Sequence, residues 1–173
     1  DGMYDRTITV NGVSKAFAMT GWRIGYIGAP EFIAKACTKM QGQITSVANS
    51  IAQQATIAAV LADPKDISYM VEKFHSRRDL VVGLLQEIPN VKTNVPEVAF
   101  YAFPDVSWYF GKTLRGKQIK DSEDLAMYLL EEAHVAVVTG EAFGNPNCIR
   151  LSYATSEEIL TEALKRIREA LTA

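Results

Sequence analysis

Ser14-Lys15-Ala16-Phe17-Ala18-Met19-Thr20-Gly21-Trp22-Arg23-Ile24-Gly25-Tyr26 sets one lysine and one arginine among small and apolar residues, and both are placed by what flanks them. Upstream, Arg6-Thr7-Ile8-Thr9-Val10 is β-branched and alternating, and Asn11-Gly12 supplies a turn, so a strand is expected to deliver Lys15 just past its end. A second extended piece, Trp22 to Ile27, runs into Gly28-Ala29-Pro30. Neither strand has a partner nearby that would complete an independent sheet, since two strands alone are marginal in water. A lysine with apolar neighbours at a strand end is poorly solvated. Its neutral amine is therefore favoured, and only that form attacks a carbonyl. On the residues alone, an exposed loop lysine remains the competing reading. Gly21 and Gly25 clear space beside Arg23 for an anion, and a guanidinium suits bidentate recognition of phosphate or carboxylate. A structural salt bridge is the alternative there. The Gly21, Gly25, Gly28 spacing is not a dinucleotide fingerprint, because it falls within a strand.

Beyond this block the chain turns helical. Glu31 to about Met40 and Asn49 to Leu61 are expected helices, the second rich in alanine and uncharged. The whole run from Gln41 to Ala62 carries no charge, but Gln41, Gln43, Asn49, Gln53 and Gln54 would be costly in hydrocarbon, so it reads as a protein-buried surface. Asp63-Pro64 then opens a helix, with Asp63 as N-cap and Pro64 in its first turn. Its apolar stripe runs through Ile67, Met70, Val71, Phe74, Val81, Leu85 and Ile88 until Pro89 stops it. Such a helix reaches roughly 35 Å, enough to bridge two domains.

The remainder alternates strands and helices. Val98 to Phe103, a buried strand at Val135 to Val138, and Ile149 to Tyr153 are the expected strands, with a helix from Asp121 to His134. The last helix opens on a capping box, Thr155-Ser156-Glu157-Glu158, and carries its stripe on Leu160, Ala163, Leu164, Ile167 and Leu171. From about Lys92 onward this is a compact α+β arrangement. Within it, Arg150 projects from the strand face opposite Ile149, Leu151 and Tyr153, between the small Cys148 and Ser152. A partly buried guanidinium there must find an anion, and periodicity leaves open whether that is a protein carboxylate or a substrate carboxylate.

Other chemistries find little footing. Eighteen Lys+Arg against twenty Asp+Glu give a net charge of −2, which argues against a dedicated nucleic-acid binder. Cys37 and Cys148 have no partner spacing for zinc or a disulfide framework. His75 and His134 lack a carboxylate or cysteine at a useful spacing, and Gly140-Glu141-Ala142-Phe143-Gly144 is a poor phosphate cradle because Asn145-Pro146 follows instead of a helix start. No leader or membrane-spanning segment is read in the sequence, and no metal site.

Taken together, Ser14 to Tyr26 resembles the cofactor-lysine signature of fold type I, pyridoxal-phosphate-dependent aminotransferases, most closely the bacterial aspartate aminotransferase branch of class I/II. Val135 to Gly140, Phe143-Gly144 and Ile149-Arg150-Leu151-Ser152-Tyr153-Ala154-Thr155 resemble that family's C-terminal region in the same order. The resemblance implies an α/β protein ending in an α+β small domain. Residues 1–62 would close the large cofactor domain, 63–91 would form the long linking helix, and 92–173 the small domain. It implies Lys15 as the Schiff-base lysine that also moves the proton between the substrate α-carbon and the cofactor C4′. Arg23 would hold the cofactor phosphate and Arg150 the substrate α-carboxylate. Pyridoxal 5'-phosphate is the implied cofactor, an amino acid (aspartate first) and 2-oxoglutarate the implied substrates, and a cytoplasmic homodimer the implied state. Alanine, aromatic and kynurenine transaminases stay within the same class, and a non-catalytic folding or dimerisation unit is the reading outside it.

Two positions depart from the pattern: Gly12 stands where a hydroxyl often precedes the lysine by three, and Val98 where glycine is frequent. Val98 is expected to crowd a domain interface or to be harmless in a strand. The family's pyridine-nitrogen aspartate belongs upstream, so neither Asp1 nor Asp5 is given that role. By the resemblance, the large domain precedes this sequence, which would then be the incomplete C-terminal part of the enzyme.

Overall fold

The computed structural model describes residues 2–172 and divides into two compact units, Asp1–Ser68 and Tyr69–Ala173. Asp1, set aside above, lies outside the described residues.

In the first unit a 3₁₀ turn at Tyr4–Arg6 precedes β1 (Thr9–Gly12), and β2 (Gly25–Gly28) returns beside it. The expected strand at Arg6–Val10 is therefore displaced towards the turn, and Trp22 belongs to a 3₁₀ turn at Thr20–Trp22 instead of a strand. The two strands do find a partner: each other. They pair antiparallel from Thr9↔Gly28 to Gly12↔Gly25, and Val13 N–H donates to Ile24 O at 3.4 Å to close the ladder. A Cβ at Gly12 would sit 3.1 Å from Ile24 O, a tight contact at that end of the ladder.

Two helices follow, α1 (Glu31–Ile44) and α2 (Ser50–Leu61). Asn49 caps α2, its Oδ1 accepting from Ala52 N–H at 3.0 Å. The buried core of this unit is small: Val13, Ile24 and Ala52, with Phe17 and Met19 partly covered. In this single chain the uncharged run is largely exposed, with Ile44 72%, Ile51 70% and Leu61 79% exposed, while Ala52 is buried.

The expected single helix from Asp63 is broken into a 3₁₀ turn, Pro64–Ile67, and α3 (Ser68–Gln86). Asp63 does cap the turn, accepting from Lys65 N–H at 2.9 Å. In the second unit Val81 and Leu85 of α3, and Ile88 beyond it, enter a core shared with α4 (Ser122–Glu132) and α5 (Glu157–Leu171). Its sheet runs β3–β7–β6, where β3 is Tyr101–Ala102, β7 is Ile149–Ser152 and β6 is Val138–Thr139, all antiparallel. A separate hairpin, β4 (Lys112–Leu114) and β5 (Lys117–Ile119), turns through Arg115 and Gly116, both at positive φ.

Several expectations in this unit are corrected. Val135–Val138 is not a buried strand: only Val138 is in β6, and it is 39% exposed. An apolar run that short does not distinguish a strand from a segment laid over a core. The Val98–Phe103 strand shrinks to β3, and Val98 itself is 81% exposed, so it crowds nothing among the described residues. α4 stops at Glu132 because His134 takes a left-handed φ of 54°. The N-cap of α5 is Ser156, whose Oγ accepts from Ile159 N–H at 3.4 Å. No helix is long and apolar enough to cross a membrane among the described residues.

Candidate active site

Lys15 and Arg23 both belong to the connection that closes β1 and β2, between Gly12 and Gly25, so the ladder brings them to the same end of the pair. The chain folds this way locally because Asn11 Oδ1 accepts from Gly12 N–H at 2.7 Å and the buried Val13 and Ile24 anchor the two ends of the connection. Lys15 starts a turn in which its carbonyl accepts from Ala18 N–H at 3.2 Å, and its side chain is exposed. The poor solvation expected of Lys15 is thus not supplied by its sequence neighbours: Ala16 and Ala18 are themselves exposed, and the one fully covered residue nearby, Val13, turns inward.

Arg23 has a left-handed backbone, φ 56°, which ends the Thr20–Trp22 turn, and its Nη1 donates back to Thr20 O at 2.8 Å. Gly21, Trp22 and Arg23 share an open depression with Asn49 and Ala52 at the start of α2. A guanidinium beside the first turn of a helix is a favourable setting for an anion, because both carry positive character. No carboxylate pairs with Arg23 among the described residues, so the salt-bridge alternative finds no support.

Arg150 belongs to the other unit, on the central strand β7, and is half-buried. The question left by periodicity was what anion it meets. Among the described residues it meets none: its guanidinium carbon instead lies 4.1 Å from the Phe143 ring centroid and 4.5 Å from that of Tyr101. Aromatic faces attract a guanidinium without satisfying its N–H donors, which stay available for a carboxylate.

These two aromatic partners, and Asn49 beside Arg23, were not singled out from the sequence. Phe143 belongs to the Gly140–Gly144 loop, and its proximity to Arg150 depends on that loop folding back upon β7. Tyr101 depends on the β3–β7 register, Tyr101↔Ser152, which no local pattern encodes. His75 and His134 are exposed. Cys148 is buried, and that burial together with Asp105 nearby pushes its thiol up, away from nucleophilic use.

A two-stranded ladder thus presents a lysine and an arginine in one connection, and a short antiparallel sheet carries a second arginine between two aromatic rings. Comparison with known proteins gives the class. Residues 2–167 match the family described as aminotransferase class I and II, and the chain belongs to that family.

Among its relatives, the aspartate aminotransferase of Rhizobium meliloti (strain 1021) is 51% identical over 98% of this chain and 42% of its own length. The bifunctional aspartate aminotransferase and glutamate/aspartate-prephenate aminotransferase of Petunia hybrida is 50% identical over 98% of this chain and 36% of its own. The crystal structure of the aspartate aminotransferase from Rhizobium meliloti superposes with a TM-score of 0.95 at 49% identity, covering 99% of this chain and 43% of that one. The chain therefore spans about two fifths of the length of the relatives it matches.

Proposed function

We propose that this chain contributes the lysine, phosphate-binding and carboxylate-binding side of a pyridoxal-phosphate-dependent transaminase that moves the amino group of aspartate to 2-oxoglutarate. The observation that carries the reading is the placement of Lys15 and Arg23 in one connection at one end of the β1–β2 pair. The donor set fits the cofactor: a primary amine for its aldehyde, and a guanidinium beside a helix start for its phosphate.

Pyridoxal phosphate, when bound, supplies an aldehyde that condenses with amines and a conjugated ring that accepts the electron pair left at the α-carbon. Lys15 Nζ would hold the cofactor and, as a free amine, would move the proton from the substrate α-carbon to the cofactor C4′. Arg23 fixes the phosphate, so the reacting end is held in register with Lys15. Arg150 receives the α-carboxylate of each substrate in turn. The same two arginines serve both half-reactions, since amino acid and 2-oxo acid differ at the α-carbon and not at the carboxylate. The bare apolar faces of α1 and α2 support assembly as a homodimer.

A second reading of the acceptor is favoured by the Petunia hybrida relative, whose name includes prephenate. It keeps every residue role and widens the oxo acid to prephenate. Parallel assays with 2-oxoglutarate and prephenate separate the two.

The test of the main reading is borohydride reduction of the protein with pyridoxal phosphate, followed by peptide mapping, with Lys15→Ala beside it. One reduced adduct at Lys15, lost in the variant, is the expected result. Adducts spread over surface lysines of the full-length protein, at the same yield in Lys15→Ala, would overturn the assignment.

A further inference from the structure

We propose that Phe143 and Tyr101 are positioning residues for Arg150, and that the Gly140–Cys148 loop exists to hold the Phe143 ring against that guanidinium. The inference rests on the carboxylate-binding role proposed for Arg150 and adds what keeps that group aimed.

Arg150 is long and, among the described residues, has no ion pair to fix it. An arginine in that state samples many rotamers, and ordering it on binding costs affinity. The sheet supplies one restraint. Tyr101 is registered opposite Ser152, and Ser152 shares a strand face with Arg150, so the Tyr101 ring reaches the guanidinium diagonally at 4.5 Å. Tyr101 is held in turn by Phe100, with ring centroids 4.6 Å apart.

The loop supplies the other restraint. On the opposite edge of β7, Val138 pairs with Arg150, and the chain then turns through Gly140–Phe143 before returning at Cys148. Two backbone bonds tie this turn to Cys148, just before β7, Gly140 N–H to Cys148 O at 2.8 Å and Cys148 N–H to Asn145 O at 3.2 Å, and Asn145 N–H to Gly140 O at 3.1 Å closes the loop on itself. Thr139, at the mouth of the loop, hydrogen-bonds the buried Ser122 at 2.7 Å, fixing it to the start of α4. Phe103 meets Phe143 edge-on at 6.4 Å. So a short loop, closed on itself and anchored at both ends, delivers one ring to 4.1 Å from the guanidinium carbon.

Packing does not account for Phe143. It is 48% exposed and lies outside the main core, and its ring partners are the Arg150 guanidinium at 4.1 Å and, more distantly, the edge of Phe103. A ring spent on a cation at the surface, with the N–H edge of that cation left open, pre-organises a carboxylate receptor.

The experiment is steady-state kinetics in the full-length protein with Phe143→Leu, Tyr101→Leu, Phe143→Tyr and Arg150→Lys. Phe143→Leu is expected to raise KM for both the amino acid and the 2-oxo acid by about tenfold, with kcat changed by less than about twofold, and Tyr101→Leu to act in the same direction. Phe143→Tyr, which keeps the ring, restores KM. The thermal midpoint of Phe143→Leu stays near that of the parent, which separates positioning from folding. If Arg150→Lys raises KM and Phe143→Leu does not, or if Phe143→Tyr is as impaired as Phe143→Leu, the positioning role is wrong while Arg150 keeps its own. If Arg150→Lys leaves KM unchanged, the carboxylate role of Arg150 falls, and this inference falls with it.

Discussion

Gly140 and Cys148 approach so closely that no side chain fits between them: Gly140 N–H donates to Cys148 O at 2.8 Å, and a Cβ on Gly140 would lie 2.3 Å from that same oxygen. The oxygen is backbone, tied into β7 one residue from Ile149, so it cannot swing aside as a flexible side chain would. Gly140→Ala therefore forces the 140–148 loop off β7. Overpacking of this kind costs about 3 kcal/mol. Urea unfolding of the second unit is the measurement, and Gly144→Ala is the control. Gly144 has φ 82° with open space around it, so its substitution costs about 1 kcal/mol from backbone strain alone. A loss at Gly140 no larger than at Gly144 would mean the loop is not held against β7 as described.

Tyr128 on α4 donates its hydroxyl to Ala170 O on α5 at 2.8 Å, and both residues are buried. Tyr128→Phe removes the donor and leaves a buried carbonyl unpaired, so it destabilises by about 1–2 kcal/mol. Burial also pushes the Tyr128 phenol above its usual 10.0. A group whose folded pKa is raised contributes stability that is complete below the unfolded pKa and is lost as pH rises through the folded one. Denaturant unfolding from pH 8 to 11.5 should therefore show a steeper alkaline decline in the parent than in Tyr128→Phe. The decline persists in the variant, because burial raises Tyr109 and Tyr153 as well.

What the sequence made legible follows the range of the interactions involved. α5 is placed by its capping box and stripe, α4 by the face of Leu125, Tyr128 and Leu129, and α2 by its run of alanines, because those signals lie within one helix; the caps Asn49 and Asp121 emerge only in the structure. The Lys15–Arg23 block was legible because both residues sit in one short connection. The pairing of β1 with β2 was missed since the intervening twelve residues, Val13 to Ile24, carry no tight-turn signature and are held instead by Val13 and Ile24 turning inward. The β4–β5 hairpin went unread although Arg115-Gly116 is a fair turn signal, because its strands are only three residues each. The surroundings of Arg150 were out of reach for a different reason. They assemble from β3, β7 and the 140–143 turn, and side-chain proximity across three elements is set by register and by a glycine that only close packing explains.

Asp105 accepts from both the hydroxyl and the N–H of Ser107, at 2.7 and 2.9 Å, and those two bonds hold its carboxyl below its usual 3.8 against the opposing effect of burial. A depressed folded pKa gives stability that is present above the unfolded value and is lost as pH falls through the folded one. Ser107→Ala removes the larger of the two causes. At pH 7 the variant should be less stable by about 1 kcal/mol, and the gap should narrow as the pH falls through the folded pKa of Asp105. Urea titrations at pH 7, 4 and 2 read this directly. A gap that is constant across the series would mean that Ser107 acts by packing and not through the Asp105 charge. Because Asp105 also bridges Lys92 and Cys148 in short strand contacts, the effect should be felt throughout the second unit.

The first unit makes a different prediction about solution behaviour. Among the described residues its buried core is three, yet Phe32, Ile44, Val47, Ile51, Val60 and Leu61 are each more than half exposed on or beside α1 and α2. Exposed large apolar side chains in such number beside so small a core favour association. The isolated 173-residue chain should therefore bind a hydrophobic dye, or scatter light as a dimer or larger species, or both. Ile51→Ser and Leu61→Ser change side chains that touch little else, so together they should lower dye binding and shift the scattering mass down without loss of helix by circular dichroism. A monodisperse monomer that leaves the dye dark would show that these faces cover one another in solution. In that event the apolar surface would no longer support the homodimer proposed above.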